Sequence, residues 1–372
     1  MSAGLTDAHA ERLNHLRALL VDLDLDAAVI SRAAHMRYFS GFVLGRGEEA
    51  TSGYAGTLFV TAGAQLILAD SRYLEQAQIE ASSWQLHPTR GTLAEELADL
   101  LGDNDVLHCG MEAQALTHAV WSQVAQLAPG SELHMIDEEL AALRIVKEER
   151  EIAAIERACA LGDHCLEHLL GIIKAGMTEA QLAWELESFL RANGSEALAF
   201  DPIVLAGARA SMPHGRPSDA RIELGNVLLL DFGCQVEGYR SDMSRTVFVG
   251  EPNAELRELY ATVQRAQQAA IDLLRPGVTG IAADVAAREV ISDAGHGDAF
   301  GHGLGHGIGL ETHEAPILRQ YAEPLQVGMV FSVEPGIYLP GRTGIRIEDI
   351  VALEESGPRL LTRSPREAVV VG

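Results

Sequence analysis

Three histidines stand among five glycines in the segment FGHGLGHGIGLETHE, residues 300–314. Histidine binds metals and exchanges protons near neutral pH, and glycine allows a close approach of the backbone although it is entropically costly to order. We therefore expect His302, His306 and His313 to face a reactive cavity, either as metal ligands or as groups that transfer protons.

A first pair of carboxylates lies in a predicted hairpin. In NVLLLDFGCQVEGYRSDMSRTVFVG, residues 226–250, Asp231 and Asp242 are equally distant from a turn centred at Val236–Glu237. In that antiparallel register the two aspartates face one another on the same side, with Cβ atoms ~5 Å apart.

A second hairpin is predicted to repeat this arrangement. In MVFSVEPGIYLPGRTGIRIEDIVAL, residues 329–353, Glu334 and Glu348 are symmetric about Gly341. A solvated acidic surface would explain one such pair. Two pairs, each set in apolar strands, indicate a shared binding function.

Four carboxylates and one imidazole form a plausible set of ligands for two divalent cations. Ionised carboxylates this close repel one another unless a cation lies between them. Hard oxygen ligands favour Mn²⁺, Co²⁺ or Mg²⁺, and one nitrogen also admits Zn²⁺ or Fe²⁺. Such a pair of ions activates water and polarises a carbonyl, so the residues indicate hydrolysis.

The elements that position these residues form an internal repeat. A basic residue, a glycine, a threonine and a final glycine recur at a constant offset of 101 residues in two segments. These are KAGMTEAQLAWELESFLRANG (174–194) and RPGVTGIAADVAAREVISDAG (275–295). Each copy is predicted to follow one helix and to supply a second, which is capped by its threonine and ended by its glycine. The repeat indicates two copies of one helix–helix–hairpin unit.

The chain is predicted to contain two domains. Residues 1–142 alternate helical and strand patterns, which indicates an α/β domain, and residues 143–372 form the duplicated α+β domain. The longest irregular stretch in the first domain is residues 41–56, a length typical of functional loops.

Composition excludes some partners. The chain of 372 residues has 28 basic and 53 acidic side chains, a net charge of −25, which disfavours nucleic acid. The four cysteines have no paired spacing, and neither a signal peptide nor a membrane span is evident. We therefore expect a cytoplasmic protein that does not associate with membranes.

Several of these stretches resemble the pita-bread metallopeptidases, in the branch of Xaa-Pro aminopeptidases and prolidases (Xaa-Pro dipeptidases). The similar stretches of the second domain are SMPHGRPSD, LLLDFG, YRSDMSRT, GHGLGHGIGLETHEAP, GMVFSVEPGIY and GIRIED. In the first domain, MRYFSGF and LILADSRYLEQA are similar to the same branch. The resemblance implies an α/β creatinase-like N-terminal domain followed by an α+β pita-bread (creatinase/aminopeptidase-like) catalytic domain with internal duplication.

The resemblance also implies residue roles. We expect two divalent ions, Mn²⁺ or alternatively Co²⁺ or Zn²⁺. The resemblance makes five residues their ligands: Asp231, Asp242, His306, Glu334 and Glu348. It places His302 and His313 at catalytic positions and His214, in MPHG, on the substrate side. Arg346 resembles an arginine that orders the site, and we expect it to pair with a carboxylate such as Asp242.

These roles lead to a hypothesis for the reaction. A bridging hydroxide attacks the carbonyl before proline, with Glu334 as metal ligand and proton shuttle. His302 and His313 stabilise the oxyanion and help to protonate the departing nitrogen. Four residues are expected to bind substrate: His214, His313, Arg46 and Arg346. The substrate is a small peptide with proline in second position.

The residues named so far do not determine the length of the peptide. A prolidase has to bind the carboxylate that follows the scissile bond, and Arg46, in the 41–56 loop, is the candidate for this contact. Alternatively, Arg46 is an exposed charge that pairs with Glu48 or Glu49. Some similar prolidases carry a carboxylate-binding arginine where this chain has Ile317, and it is open whether Arg319 substitutes.

We favour prolidase and keep Xaa-Pro aminopeptidase as the alternative. A methionyl aminopeptidase is disfavoured by the long first domain, and a creatinase by the complete set of metal ligands. The same complete set disfavours a non-catalytic pita-bread protein that only binds a partner. The resemblance further implies a homodimer, with the 41–56 loop acting on its own or a partner's cleft.

Overall fold

A computed structural model describes residues 3–44 and 55–372, and for residues 3–7 and 55 it describes the backbone alone. Within it the chain divides into two compact units, Met1–Arg144 and Ile145–Gly372. No helix of the described residues is both long enough and apolar enough to cross a membrane. Arg46 and the central part of the 41–56 loop lie outside the described residues.

The first unit is a six-stranded mixed sheet with helices. Its helices are α1 (Ala3–Asp22), α2 (Ala33–Ser40), α3 (Leu74–Glu80), α4 (Leu93–Asp103), α5 (His118–Leu127) and α6 (Asp137–Ala142). Its strands are β1 (Ala27–Ile30), β2 (Ala55–Thr61), β3 (Gln65–Ala69), β4 (Gln85–Pro88), β5 (His108–Met111) and β6 (Glu132–Met135). The strand order is β4-β3-β2-β1-β5-β6, so that β6 is an edge strand.

Local sequence explains these elements. The short segment Thr61-Ala62-Gly63-Ala64 turns the chain between β2 and β3, which form an antiparallel pair. Thr92 caps α4 in a reciprocal capping box with Glu95, and Thr117 caps α5. Leucines at helical spacing on α4, among them Leu97 and Leu101, pack on strand residues such as Val29 in the core.

The second unit contains four long helices and several small sheets. Its helices are α7 (Glu149–Ile172), α8 (Glu179–Ala192), α9 (Ala254–Leu273) and α10 (Gly280–Asp293). Its strands are β7 (Ala197–Leu198), β8 (Ile203–Ala206), β9 (Val227–Phe232), β10 (Cys234–Val236), β11 (Tyr239–Arg240), β12 (Met243–Val249), β13 (His306–Gly307), β14 (Glu314–Ile317), β15 (Val330–Val333), β16 (Gly336–Leu339), β17 (Thr343–Arg346), β18 (Asp349–Glu354), β19 (Gly357–Leu360) and β20 (Val369–Val371).

The predicted duplication is confirmed in the helices. Thr178 caps α8 by accepting a hydrogen bond from the Gln181 amide, and Thr279 caps α10 in the same way from Ala282. A glycine with positive φ follows each of these helices. The two helix pairs, α7–α8 and α9–α10, support two sheets, ordered β20-β12-β9-β8 and β14-β13-β15-β18-β19.

The register of the first hairpin corrects the sequence prediction. Asp231 pairs with Ser244, not with Asp242, because the turn is centred at Glu237–Gly238, one residue later than predicted. Both turn residues have positive φ, 52° and 85°, which is the two-residue turn that matches the twist of a hairpin. Asp242 therefore lies diagonal to Asp231, two residues from its partner and still on the same face.

The register of the second hairpin is the predicted one. Gly336 pairs with Arg346 in β16–β17, and Val333 pairs with Asp349 in β15–β18. Both ladders share the symmetry centre at Gly341. Glu334 and Glu348 lie opposite one another at the break between the ladders, where Pro335 interrupts the strand.

Candidate active site

A cavity of about 440 Å³ in the second unit gathers the predicted residues. The tenth candidate site residue, Arg46, lies outside the described residues. The other nine line this cavity: Asp231, Asp242, His214, His302, His306, His313, Glu334, Arg346 and Glu348. Strand ends from both halves of the duplicated unit supply these side chains, so the cavity lies where the two halves meet.

His306 begins β13 and is oriented by the backbone around it. Its Nδ1 lies 3.0 Å from the Gly307 carbonyl oxygen, so the Nδ1–H donates there and Nε2 is directed to the carboxylates. Nε2 is 3.3 Å from Glu334 Oε1 and 3.8 Å from Asp242 Oδ2. A Cβ on Gly305 would lie 2.0 Å from the Ser332 carbonyl oxygen, which explains a glycine beside this histidine.

Several carboxylate oxygens of this cavity have no hydrogen-bond donor among the described residues. Asp231 Oδ1, Asp242 Oδ1 and Glu348 Oε1 are buried and receive no hydrogen bond within the described part of the chain. Burial and the neighbouring carboxylates raise the pKa values of Asp242 and Glu348 well above the ordinary values of the two side chains. Ligand atoms of Asp242, His306 and Glu348 lie within 4.8 Å of one another. The donor set therefore fits divalent cations, which would keep these carboxylates ionised at neutral pH.

Glu334 differs from the other carboxylates. Burial raises its pKa, but the hydrogen bond and charge of His306 outweigh burial and lower the pKa to about 2. The hydroxyl of Ser332 also donates to Glu334 Oε1 at 3.0 Å. Glu334 is therefore ionised at neutral pH, the state in which a carboxylate accepts a proton.

His313 is neutral at physiological pH. Burial, followed by the proximity of His306, lowers its pKa to about 4, and the centroids of the two rings are 4.2 Å apart. A neutral imidazole donates one hydrogen bond and accepts one. His313 can therefore donate to an oxygen of a bound substrate without bringing a positive charge into the cavity.

Arg346 pairs with Asp231, and this corrects the predicted pairing with Asp242. The guanidinium donates from Nη2 to Asp231 Oδ2 and from Nε to Ser244 Oγ, the latter at 2.7 Å. Ser244 in turn donates to Glu348 Oε2 at 2.8 Å. Arg346 lies on β17, which packs against β9, and this contact places it beside Asp231.

Tyr338 and Ser244 are two residues of this network that the sequence analysis did not single out. The Tyr338 hydroxyl accepts a hydrogen bond from Arg346 Nη1 at 2.7 Å and lies 2.9 Å from His302 Nε2. Because the arginine can only donate, the hydroxyl proton is available to His302. Tyr338 ends the GMVFSVEPGIY stretch and is diagonal to Arg346 in the β16–β17 ladder, which is the signal that could have identified it.

His302 is held in one tautomer by these contacts. Nε2 accepts from Tyr338, and Nδ1 donates to the Gly303 carbonyl oxygen at 2.9 Å. Burial lowers the pKa of His302. In this arrangement both nitrogens of the imidazole are engaged by the protein.

The substrate side of the cavity is more open. His214 is exposed and lines both this cavity and a neighbouring one of about 460 Å³, which also contains His302 and Tyr338. Ile317 lines the main cavity and is 39 % exposed. Arg319 donates to the Gly301 carbonyl oxygen at 3.4 Å and does not line the main cavity.

Comparisons with known proteins agree with this arrangement. Residues 153–355 match metallopeptidase family M24, and residues 12–146 match the creatinase/prolidase N-terminal domain. An Xaa-Pro dipeptidase of Pyrococcus furiosus is 36 % identical over 359 residues, which are 96 % of this chain and 99 % of that protein.

Solved structures show the same fold. An Xaa-Pro dipeptidase from Bacillus anthracis superimposes with a TM-score of 0.91 at 34 % identity, covering 98 % of this chain and all of that one. An X-Pro aminopeptidase from Thermotoga maritima superimposes with a TM-score of 0.86 at 36 % identity, covering 97 % of this chain and all of that one. A family match that spans more than half of the chain, together with relatives aligned over nearly its whole length, establishes that this protein belongs to metallopeptidase family M24, whose members use divalent metal ions.

Proposed function

We propose that this protein is a prolidase, a dinuclear metal hydrolase that cleaves dipeptides with proline in second position. The observation that carries the proposal is the set of buried carboxylate oxygens of Asp231, Asp242 and Glu348 that receive no hydrogen bond and converge on one cavity. The Xaa-Pro dipeptidases among the relatives support the choice of substrate.

Five side chains hold the metal pair in this proposal: Asp231, Asp242, His306, Glu334 and Glu348. When bound, two such cations activate a water molecule and polarise the scissile carbonyl. Oxygen donors outnumber the single nitrogen, which is the reason for proposing Mn²⁺ as the native metal, with Co²⁺ and Zn²⁺ as substitutes.

The protein residues perform the proton transfers. Glu334, which the bound cations would keep ionised, accepts the proton of the attacking water and returns it to the proline nitrogen. His313 donates a hydrogen bond to the carbonyl oxygen as negative charge develops on it.

Other residues shape the substrate pocket. His302, whose nitrogens are both bonded to the protein, forms part of the pocket wall instead of transferring a proton. Arg346 holds Asp231 in position through its ion pair, and His214 contacts the proline end of the substrate. Arg46 is proposed, from sequence alone, to bind the carboxylate of the dipeptide.

A second candidate is an Xaa-Pro aminopeptidase that acts on longer peptides. One observation favours it: the neighbouring cavity of about 460 Å³ shares His214 and His302 with the main one, and we propose that it takes the residues that follow proline. The Thermotoga maritima X-Pro aminopeptidase, with a similar fold and identity, is consistent with it.

A substrate and metal panel tests both proposals. The protein is stripped with chelator, supplied with Mn²⁺, Co²⁺ or Zn²⁺, and assayed on Ala-Pro and Ala-Pro-Ala. We expect metal-dependent hydrolysis that is faster on Ala-Pro. A preference for Ala-Pro-Ala selects the aminopeptidase, and no hydrolysis of either peptide with any ion refutes both. Glu334→Gln should abolish turnover while the protein stays folded, and Arg46→Ala should impair Ala-Pro more than Ala-Pro-Ala.

We also propose a cytoplasmic homodimer. All four cysteines are free and buried, as is usual in a reducing compartment, and the similarity to the prolidase branch is the basis for the dimer. Light scattering coupled to gel filtration measures the oligomeric state directly.

A further inference from the structure

A second cluster of metal-binding side chains lies in the first unit. His108 on β5, and Glu132 and His134 on β6, have ligand atoms that all lie within 4.8 Å of one another. The strands are parallel, with His108 opposite Glu132 and Gly110 opposite His134. Glu132 and His134 are two residues apart and therefore lie on the same face of the sheet. Gly110 has no side chain to separate the two imidazoles.

The distances suit a metal better than a hydrogen bond. His108 Nδ1 is 3.3 Å from His134 Nε2 and 3.8 Å from Glu132 Oε2. Two nitrogens bound to a tetrahedral zinc ion at ~2.0–2.1 Å are roughly 3.3–3.4 Å apart. A direct N–H···N hydrogen bond between the rings would be long at this distance. The Glu132 side chain is 69 % exposed and is therefore not held away from this point by packing.

The surroundings also favour a cation. Asp26 accepts hydrogen bonds from the amides of Leu107 and His108, both at 2.9 Å, and so fixes the backbone where β5 begins. The side chains of His108 and Glu132 are 43 % and 69 % exposed, which leaves access for an ion and for a water as fourth ligand. The net charge of −25 raises the local concentration of cations.

We propose that His108, Glu132 and His134 form a binding site for a zinc-class divalent ion, separate from the catalytic cavity. Two imidazoles and one carboxylate are a ligand set suited to Zn²⁺, Co²⁺ or Ni²⁺, whereas the carboxylate-rich cavity suits harder ions. The bound ion links the edge strand β6 to β5 and stabilises this edge of the sheet. This inference does not depend on the proposed function.

The test counts bound Zn²⁺ in the full-length protein by equilibrium dialysis with elemental analysis. Variants His108→Gln, His134→Gln and Glu132→Gln are compared with His118→Gln, an exposed histidine on α5 of the same unit. We expect each histidine variant of the cluster to bind one equivalent fewer than wild type at micromolar free Zn²⁺, and His118→Gln to bind the same number. Glu132→Gln is expected to weaken the site.

Two further measurements complete the test. With Co²⁺, the difference spectrum between wild type and His134→Gln should show the strong visible absorption of four-coordinate cobalt, and the same difference for His118→Gln should be flat. Circular dichroism of the metal-free variants should match wild type, because the replaced side chains lie at the surface. Equal Zn²⁺ content in wild type and the His108→Gln/His134→Gln double variant overturns the proposal, as does an equal loss in the His118→Gln control.

Discussion

Replacing Tyr338 with phenylalanine tests the network that joins the two sides of the cavity. The hydroxyl links the buried guanidinium of Arg346 to His302 Nε2, and Tyr338 and Arg346 are only 7 % and 3 % exposed. A phenylalanine ring fills the same space, so the change removes two hydrogen bonds and little packing. Arg346 keeps its bonds to Asp231 and Ser244.

The size of the effect follows from the two lost bonds. A hydrogen bond to a charged group contributes roughly 1.5–3 kcal/mol and a neutral one roughly 0.5–1.5 kcal/mol. Because Arg346 retains its other partners and water partly replaces the hydroxyl, we expect a net cost of about 2 kcal/mol. If this cost falls on substrate binding, kcat/KM decreases by about 30-fold, since 1.4 kcal/mol is a factor of ten.

The division of the loss between KM and kcat identifies the cause. His302 and Tyr338 form the pocket wall, while Asp231 keeps its ion pair with Arg346, so we expect KM for Ala-Pro to rise and metal content to stay unchanged. Tyr321→Phe is the control, because the Tyr321 hydroxyl makes no hydrogen bond within the described residues. A Tyr338→Phe enzyme within twofold of wild type, or one that matches the control, would refute this account.

Three further changes have defined outcomes. Glu112→Gln removes a buried carboxylate that His35 and two backbone amides bind. Burial raises the pKa of Glu112, but these bonds outweigh burial and lower the pKa. The free energy of unfolding, measured in thermal melts at pH 7, should therefore be about 1–3 kcal/mol higher for the wild type. This difference in unfolding free energy is fully present above the pKa of an ordinary glutamate. It should decrease as the pH falls through the lower pKa of Glu112 in the folded protein. Lys147→Met removes the ammonium group that lies 3.2 Å from the buried Glu314 Oε2, and denaturant unfolding should show a loss of about 3–5 kcal/mol. Gly305→Ala forces a Cβ to within 2.0 Å of a backbone oxygen, so calorimetry should record weaker Mn²⁺ binding, and unchanged affinity would contradict the packing argument.

Much of the second hairpin was predictable because its signals are local. The turn PGRTG fixes the centre at Gly341, and the period of two then determines which side chains share a face. Glu334, Arg346 and Glu348 have the same parity about this centre, and so does Tyr338. The sequence therefore contained the information that Tyr338 lies on the same face as Arg346, although only its hydroxyl contacts show why that matters.

The first hairpin shows how a small error in a turn propagates. QVEGYR allows a turn centred at Val236–Glu237 or one residue later, and glycine in second position of a two-residue turn selects the later one. The one-residue change of the centre moves the partner of Asp231 from Asp242 to Ser244. Because that is a shift of two positions along the opposite strand, both aspartates remain on the same face and the predicted cluster survives.

The partner of Arg346 could not be derived from either hairpin alone. Register determines which side chains of one hairpin share a face, but it does not determine which carboxylate of the other hairpin meets them. Asp231 and Asp242 are equivalent by charge and by face. Packing of β17 against β9 places the guanidinium at Asp231 and leaves Asp242 beside Glu348 and His306, the group whose ligand atoms lie within 4.8 Å of one another. The consequence is an asymmetric site: burial raises the pKa of Asp231 although Arg346 opposes the rise, while burial and the neighbouring carboxylates raise the pKa of Asp242 well above its ordinary value.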